Sequence, residues 1–212
     1  MIDDDSYLCR TCNTPVRKRD NDYHTYADYL RWSRTSGDEL INGTAYVREP
    51  SPTSAHQLIV GELYHQVKNG VKGTQWRAFV APLDVRLPRS EEQDLDVDTV
   101  VQPDVFITRD PQKVDSRGLR GAPDWIVEVL SPGTARYDQK KKLAAYERAA
   151  VPEVWLIDPR ARNVAIYQLS QGVYVQPREL KLEGRTAVSV APEIVIDWGA
   201  VVAELQAMLN VS

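Results

Sequence analysis

The sequence predicts an α/β (α+β) fold in which helices flank a central mixed sheet and a β-hairpin lies near the N-terminus. The dipeptide Asn42-Gly43 between apolar flanks is typical of a tight hairpin turn. Residues 100–108 and 123–131 are apolar on both sides, as strands covered on both faces of a sheet are. Residues 51–70 and 133–149 read as helices. Helices around a centre built of strands place the chain in this class.

Length and composition suit one compact domain with a sizeable core, since the chain has 212 residues and 42% of them are hydrophobic. We expect a polar N-terminal tail over residues 1–22 and a single domain over residues 23–212.

No apolar run approaches the roughly 18 residues of a membrane span, and the N-terminus lacks the basic and apolar regions of a secretory signal. We therefore expect a cytoplasmic protein with no membrane partner. The net charge of −4 argues against non-specific coating of nucleic acid, and two cysteines do not indicate a disulfide framework.

The predicted elements alternate between helices and strands along the chain. In the helix over 51–70, Ser54 is the expected cap, three aliphatic residues recur every four positions, and Gly70 ends the helix. A shorter helix is expected over residues 25–33 with Thr25 as its cap, followed by the hairpin over 38–49. The remaining elements are strands over 76–88, 100–108 and 123–131, a helix over 133–149, strands over 154–157 and 164–169 about the turn at Asp158-Pro159, strands near 173–180 and 187–190, and a helix over roughly 198–209.

Two of these strands each carry one acid in an apolar setting: Asp104 in residues 100–108 and Glu128 in residues 123–131. A lone buried carboxylate is costly, so each needs a partner. Neighbouring strands would bring the two carboxylates together, where each raises the pKa of the other unless a divalent cation lies between them. Ligands made only of oxygen favour Mg²⁺ or Mn²⁺ over zinc. For either acid considered alone, an arginine partner or a position in a loop explains the carboxylate as well as a bound cation does.

The helix after Glu128 carries a triplet of lysines, of which one points inward. At about 100° per residue, Tyr146 and several alanines form the inward face, and Lys142 lies in its middle while the other two lysines point outward. An inward lysine needs an anion, which Glu128, or Asp104 with its metal and substrate, could supply. Alternatively, Lys142 bridges to Asp138, one turn earlier, with its stem along the apolar surface.

Charge is unevenly placed along the chain. Residues 84–104 hold seven acids against two bases, and residues 109–148 hold nine bases against six acids. A positive patch beside an acidic cluster suits a metal site that faces a polyanion. On charge alone, a solvated mixed surface is the favoured interpretation.

Several segments together resemble a known family. The longest are "VVQPDVFI" and "GAPDWIVEVLSPGTARYDQKKKLAAYERAAVPEVWLIDP", joined by "DELING", "SPTSAH" and "VAPLDVRL". From about residue 25 to residue 209 the chain resembles the Uma-two family of restriction endonuclease-like proteins, in the PD-(D/E)XK nuclease superfamily. The resemblance implies a restriction endonuclease-like core and a metal-dependent endonuclease that hydrolyses phosphodiester bonds in nucleic acid, with DNA favoured. It also points to a homodimer, as does the apolar C-terminal segment over residues 192–209.

The family pattern makes Pro103-Asp104 the PD motif and Glu128, 24 residues later, the second acid. The superfamily lysine is expected two residues after that acid, where this chain has Leu130. In the Uma-two family the lysine comes from the following helix, and the matching residue is Lys142. The resemblance thus implies that Asp104 and Glu128 hold Mg²⁺ (or Mn²⁺) and that Lys142 orients or deprotonates a water, or neutralises charge in the transition state. Phosphates could be steered by basic residues of the region, namely Arg117, Arg120, Arg136 and Lys141.

Three further residues are secondary candidates: Glu39, which opens the hairpin, Asp84, which interrupts a strand, and His56. The superfamily often places an extra upstream acid on the metal, which favours Glu39. His56 lies on the apolar side of its helix, where a core or capping histidine is the simpler interpretation than a base. Cys9 and Cys12 could contribute to a zinc site, but no second cysteine pair completes four ligands, so free thiols are the simpler interpretation.

A different class of function also fits the same sequence. The fold could serve as a nuclease-like module that dimerises or binds a partner without cutting. A glycosidase with two catalytic carboxylates fits poorly, because such a site has no use for an inward lysine. Mg²⁺ binding that is lost when Asp104 is substituted would favour the enzyme over the module.

Overall fold

A computed structural model describes residues 16–32, 37–47 and 53–209. In these ranges the strands are β1 (Arg17–Lys18), β2 (Glu39–Ile41), β3 (Thr44–Val47), β4 (Arg77–Val80), β5 (Val85–Arg86), β6 (Val100–Val101), β7 (Val105–Thr108), β8 (Val114–Asp115), β9 (Gly118–Arg120), β10 (Trp125–Val129), β11 (Glu153–Asp158), β12 (Asn163–Ser170), β13 (Val173–Tyr174), β14 (Arg178–Lys181), β15 (Arg185–Val188) and β16 (Ala191–Asp197). The α-helices are α1 (Tyr26–Tyr29), α2 (Ser54–Gly70), α3 (Ala135–Tyr137), α4 (Leu143–Arg148) and α5 (Trp198–Leu209). A π-helical segment, Asp138–Lys142, joins α3 to α4.

The strands form two larger sheets and one hairpin. The N-terminal sheet has the order β1-β3-β2-β6-β5-β9-β8, and the central sheet has the order β13-β12-β11-β10-β7-β4, with β14 alongside β12. β15 and β16 form a separate antiparallel pair. Both larger sheets are mixed, because β10 runs parallel to β11 and β5 runs parallel to β9 while the other pairs are antiparallel. The predicted class, with mixed sheets and flanking helices, is confirmed.

The middle strands of the central sheet, β7, β10 and β11, are buried on both faces. On one face, their side chains pack with the apolar sides of α2 and α5, including Leu63, Trp125 and Trp198. On the other face, Ile126 and Phe106 pack with the helical run after β10 and with the N-terminal sheet. Because side chains alternate between the two faces of a strand, burial on both sides requires a continuous apolar run, which is the pattern that predicted these strands.

Two predictions of a single strand are wrong, because each predicted strand is divided into two strands in the structure. Residues 100–108 divide into β6, in the N-terminal sheet, and β7, in the central sheet, and residues 76–88 divide in the same way into β4 and β5. A proline lies at each break, Pro103 and Pro82. Proline has no backbone N–H to donate to a ladder, so a strand tends to end there. The two breaks carry the chain from one sheet to the other.

Other local predictions are confirmed with small changes. The turn at Asn42-Gly43 joins β2 to β3, and both residues have positive φ, as this type of hairpin requires. Thr53 rather than Ser54 caps α2, because its side chain accepts a hydrogen bond from the His56 amide. Arg17, within the predicted polar tail, belongs to β1 and pairs with β3. In the part of the chain that the structure describes, no helix has the length and apolar character needed to cross a membrane.

Gly118 in β9 allows the close approach of two backbone segments, and it provides a test of the fold. Its φ is +122°, and a Cβ atom built there would lie 2.2 Å from the carbonyl oxygen of Asp84. We expect Gly118→Ala to lower the free energy of unfolding by about 1–3 kcal/mol or more, because both the backbone conformation and the contact are unfavourable. Chemical denaturation of the two proteins measures this difference.

The matched control is Gly61→Ala in α2, where a Cβ atom would meet nothing within 4 Å. This exposed helical position should gain about 0.5–1 kcal/mol, because alanine loses less conformational entropy in a helix than glycine does. Equal effects of the two substitutions would show that the contact between β9 and Asp84 is absent.

Candidate active site

Asp104 and Glu128 lie on neighbouring strands of the central sheet and on the same face. β7 and β10 are antiparallel, with Val105 opposite Val127, so the next pair along the ladder is Asp104 and Glu128. The backbone amide of Val129 donates a hydrogen bond of 2.7 Å to Asp104 Oδ2. The register therefore places the two acids side by side on adjacent strands, and a cation shared between their carboxylates stays a prediction.

Asp104 also contacts His56 from the first turn of α2. The distance from His56 Nε2 to Asp104 Oδ2 is 3.1 Å, and both side chains are buried. Thr53 caps the helix through the His56 amide and so holds this turn beside the strand. The interpretation of His56 as a core or capping histidine thus misses its main contact, which is with the first acid of the candidate site.

Lys142 reaches Glu128, as the sequence predicts. Its Nζ lies 2.6 Å from Glu128 Oε1, 3.2 Å from Glu39 Oε1 and 3.9 Å from Asp138 Oδ1. The Lys142 side chain is fully buried, and so is that of Glu39. Of the two alternatives for an inward lysine, the pair with Glu128 is the closer, and the bridge to Asp138 is the longest of the three contacts.

A π-helical segment positions this lysine. A regular α-helix was expected over residues 133–149, but Asp138–Lys142 forms a wider π turn between α3 and α4. Such turns in helices are frequent at functional sites. Tyr146, one turn further along, donates a hydrogen bond of 2.5 Å to the same Glu128 Oε1 that Lys142 contacts. Sequence reasoning placed Tyr146 on the inward face without giving it a role.

Burial controls the electrostatics of Glu128. Removal from water raises the pKa of its carboxyl to about 8, while the Lys142 ammonium lowers that pKa and the nearby Asp104 raises it further. Burial is also the main reason that the pKa of Tyr146 is raised well above its usual value, with Glu128 as the next cause. The Tyr146 hydroxyl therefore keeps its proton and remains a hydrogen-bond donor to Glu128.

Gln102 connects the two remaining candidate acids to the site. Its backbone amide donates to Glu39 Oε1 over 2.7 Å, and its side-chain amide donates to Asp84 Oδ1 over 2.9 Å. The Tyr29 hydroxyl donates to the same Asp84 oxygen over 2.9 Å. Glu39 therefore touches Lys142 directly, whereas Asp84 is linked to the site through Gln102. Sequence reasoning missed both Gln102 and Tyr29. For Gln102, the one available signal was its position two residues before Asp104.

The basic residues expected to steer phosphates are partly engaged elsewhere. Arg117 and Arg120 both contact Asp94, at 3.5 Å and 3.3 Å. Asp94 also pairs with the buried Arg86, whose other partner is Asp115. These contacts stabilise the far edge of the N-terminal sheet, so Arg117 and Arg120 are poor candidates for phosphate contacts.

The donor set suits a hard cation better than zinc. Asp104 and Glu128 offer only carboxylate oxygens, and Mg²⁺ is commonly held by one or two carboxylates, with water and phosphate oxygens completing its shell. Across the described ranges, no group of three or more histidine, cysteine, aspartate or glutamate side chains is arranged to hold a metal ion. Cys9 and Cys12 lie outside the described residues.

Comparisons with known proteins identify the family and the fold of the chain. The model of the Uma2 family, described as "Putative restriction endonuclease", matches residues 26–201. No curated protein matches the chain. The fold is similar to that in the crystal structure of a "putative nuclease belonging to DUF820" from Anabaena variabilis, with a TM-score of 0.67 and 22% identity over 85% of this chain and 98% of that one. The expected restriction endonuclease-like fold is thereby confirmed.

The raised pKa of Glu128 predicts how stability depends on pH. Between its ordinary pKa of 4.5 and about 8, folded Glu128 keeps a proton that the unfolded chain has released. The contribution of Glu128 to stability is therefore full below that window and is lost as the pH rises through it. We expect the unfolding free energy of the metal-free protein to decline across this window and Glu128→Gln to flatten the decline, measured by denaturation at a series of pH values.

The control is Glu183→Gln, which changes an exposed glutamate outside the site and should leave the slope as it is. If Glu128→Gln and Glu183→Gln give the same pH dependence as the unaltered protein, Glu128 does not retain a proton in the folded state.

Proposed function

The chain belongs to the Uma2 family, and we propose that it is a metal-dependent nuclease that hydrolyses phosphodiester bonds in nucleic acid, with DNA as the expected substrate. The observation that carries this proposal is the convergence of Asp104, Glu128 and Lys142 from two neighbouring strands and the helical run that follows. The combination of two acids and one lysine is the one that metal-assisted phosphodiester hydrolysis uses.

In this proposal Asp104 and Glu128 hold Mg²⁺ or Mn²⁺. When bound, the ion would polarise the phosphoryl oxygen and acidify a water. The Val129 amide and His56 support Asp104, and Lys142 supports Glu128. Each acid is thus oriented by groups that are themselves fixed in the core.

Lys142 has two roles in the proposed site. Its ammonium lies 3.2 Å from Glu39 Oε1 and 2.6 Å from Glu128 Oε1, and it would balance the negative charge of Glu128 once a bound cation has displaced the proton of this side chain. In the reaction the same ammonium orients the attacking water, or neutralises the charge that develops on the phosphoryl group. Because Lys142 lies in a site with little water, its electrostatic effect is stronger than it would be at the surface.

One observation favours the second candidate, a nuclease-like module that dimerises or binds a partner without cutting. The acids are nearly excluded from solvent, with exposed fractions of 5% for Asp104 and 1% for Glu128. A buried ion-pair network that only stabilises the fold would look the same. Metal binding and cleavage, measured together, separate the two functions.

A homodimer is also part of the proposal. The apolar side chains of the C-terminal segment that predicted it, such as Ile196, Trp198 and Val201, are buried in the core of the same chain. The segment therefore does not supply an interface by itself. Two exposed valines at the edge of the central sheet, Val173 and Val175, are 56% and 46% exposed and offer apolar contact area.

Light scattering at micromolar concentration tests the dimer. We expect twice the chain mass of 24.0 kDa, and Val173→Lys combined with Val175→Lys should reduce it if this edge forms the interface. A measured mass equal to that of one chain would refute the homodimer. A double variant that remains a dimer would show that the interface lies at another surface.

Cleavage and metal binding of matched variants test the proposed reaction. The substrates are duplex and single-stranded DNA and RNA, with and without Mg²⁺, and calorimetry measures Mg²⁺ binding. We expect Asp104→Asn to lose both binding and cleavage. Lys142→Met keeps the length of the buried stem and should retain Mg²⁺ binding, while cleavage falls by about 10²–10⁴-fold, because the lysine is not a ligand.

The control for Lys142→Met is Lys141→Met, which changes the neighbouring, half-buried lysine of the same segment. It should weaken substrate binding and make that binding less sensitive to salt, with little change in turnover. Equal, mild effects of the two substitutions would show that Lys142 has no part in the reaction. Mg²⁺ binding without cleavage of any substrate would favour the partner-binding module.

A further inference from the structure

Tyr146 is a fully buried tyrosine whose hydroxyl lies in the proposed metal centre. It donates a hydrogen bond to Glu128 Oε1, the oxygen that the Lys142 ammonium also contacts. Neither the proposed chemistry nor the family resemblance gives this residue a role. We propose that Tyr146 is a positioning residue, which fixes the rotation of the Glu128 carboxylate through Oε1 and so prepares Glu128 to hold a cation; this inference rests on the proposed function.

The need for such a residue follows from the shape of the glutamate side chain. The last torsion of glutamate is broad and roughly two-fold, so the carboxylate plane is poorly defined by the side chain alone. Two donors on one oxygen define that plane, because each hydrogen bond restricts the direction of the acceptor. Hydrogen bonds to a charged acceptor are stronger than those between neutral groups, particularly in a buried site. Tyr146 and Lys142 together therefore hold Oε1 of Glu128.

The same arrangement occurs at the other acid. Asp104 receives the Val129 amide and His56 Nε2 on a single oxygen, Oδ2. Both proposed ligands are thus held through one oxygen by two donors. Both donors to Glu128 come from the helical run after β10, Lys142 from the π-helical segment and Tyr146 from α4, and one donor to Asp104, His56, comes from α2. Groups that orient metal ligands in this way commonly affect metal affinity almost as much as the ligands themselves.

The helical geometry explains why both donors reach one oxygen. Lys142 ends the π segment, and Tyr146 follows four residues later in α4, so the two side chains lie one above the other on the same face. The tyrosine ring packs in the apolar cluster between the central and N-terminal sheets. Packing accounts for the ring, and among the described residues the hydroxyl contacts Glu128 Oε1.

The substitution Tyr146→Phe isolates the hydroxyl, since phenylalanine keeps the ring. The probe is Mn²⁺ alone, with its affinity for the full chain measured by electron paramagnetic resonance in the absence of nucleic acid. We expect the Kd for Mn²⁺ to rise by about 10–100-fold, the range usual for the loss of a group that orients a ligand. In a cleavage assay, the metal concentration for half-maximal activity should rise, while the rate at saturating metal changes much less.

The matched control is Tyr26→Phe. Tyr26 is also fully buried, and its hydroxyl has no hydrogen-bond partner among the described residues. It packs against Arg86 in the N-terminal sheet rather than against a proposed ligand. Tyr26→Phe should leave the Kd for Mn²⁺ within about twofold, as expected for a position that orients no ligand.

Each outcome supports or overturns the inference. An unchanged Mn²⁺ affinity in Tyr146→Phe would overturn it, as would equal losses in Tyr146→Phe and Tyr26→Phe. If the Tyr146→Phe chain fails to fold, the hydroxyl is needed for stability, and the inference is overturned. If the unaltered chain binds no Mn²⁺, the inference fails together with the metal centre. If Mn²⁺ binds and Tyr146→Phe weakens it but no nucleic acid is cleaved, the nuclease fails and the positioning role stands.

Discussion

The buried ammonium of Lys142 is the interaction on which the rest of this structure depends. It contacts Glu39 from the N-terminal sheet, Glu128 from the central sheet and Asp138 from its own helical run. Removing any of these charges from water is expensive, and only close opposite charges and hydrogen bonds offset that loss. The three structural units meet at this point, where each contributes an ionisable side chain whose burial is offset by its contacts with the others.

The alternation of side chains along a strand determines which acid can join this network. Ile126 and Glu128 point to the face that meets the N-terminal sheet, while Val127 points to the face covered by α2. A second buried glutamate, Glu153 in β11, shows the contrast. It accepts hydrogen bonds from the Trp155 indole and the Ser189 amide, so it needs no ammonium or cation.

Sequence reasoning identified Asp104, Glu128 and Lys142 because each breaks a local pattern. An acid in an apolar strand and a lysine on the inward face of a helix both violate the expected separation of polar and apolar residues, and such violations concentrate at functional sites. His56 and Gln102 break no pattern, since a histidine on a helix and a glutamine before a proline are both ordinary. Sequence reasoning named His56 as a secondary candidate and missed Gln102. The contacts of both residues with the site acids join elements that are distant in the chain, so these contacts could be found only in the structure.

The sequence by itself determined the class of fold, the hairpin at Asn42-Gly43, the helix α2 and the three residues proposed for the site, because these depend on periodicity and on local turn chemistry. Only the tertiary structure decided that residues 100–108 belong to two sheets and that Arg117 and Arg120 pair with Asp94. It alone also decided that the hydroxyl of Tyr146 and the ammonium of Lys142 share one oxygen of Glu128. The physical reason is that strand pairing and ion pairing join residues far apart in the chain, and their energies depend on distances and burial that no local pattern encodes.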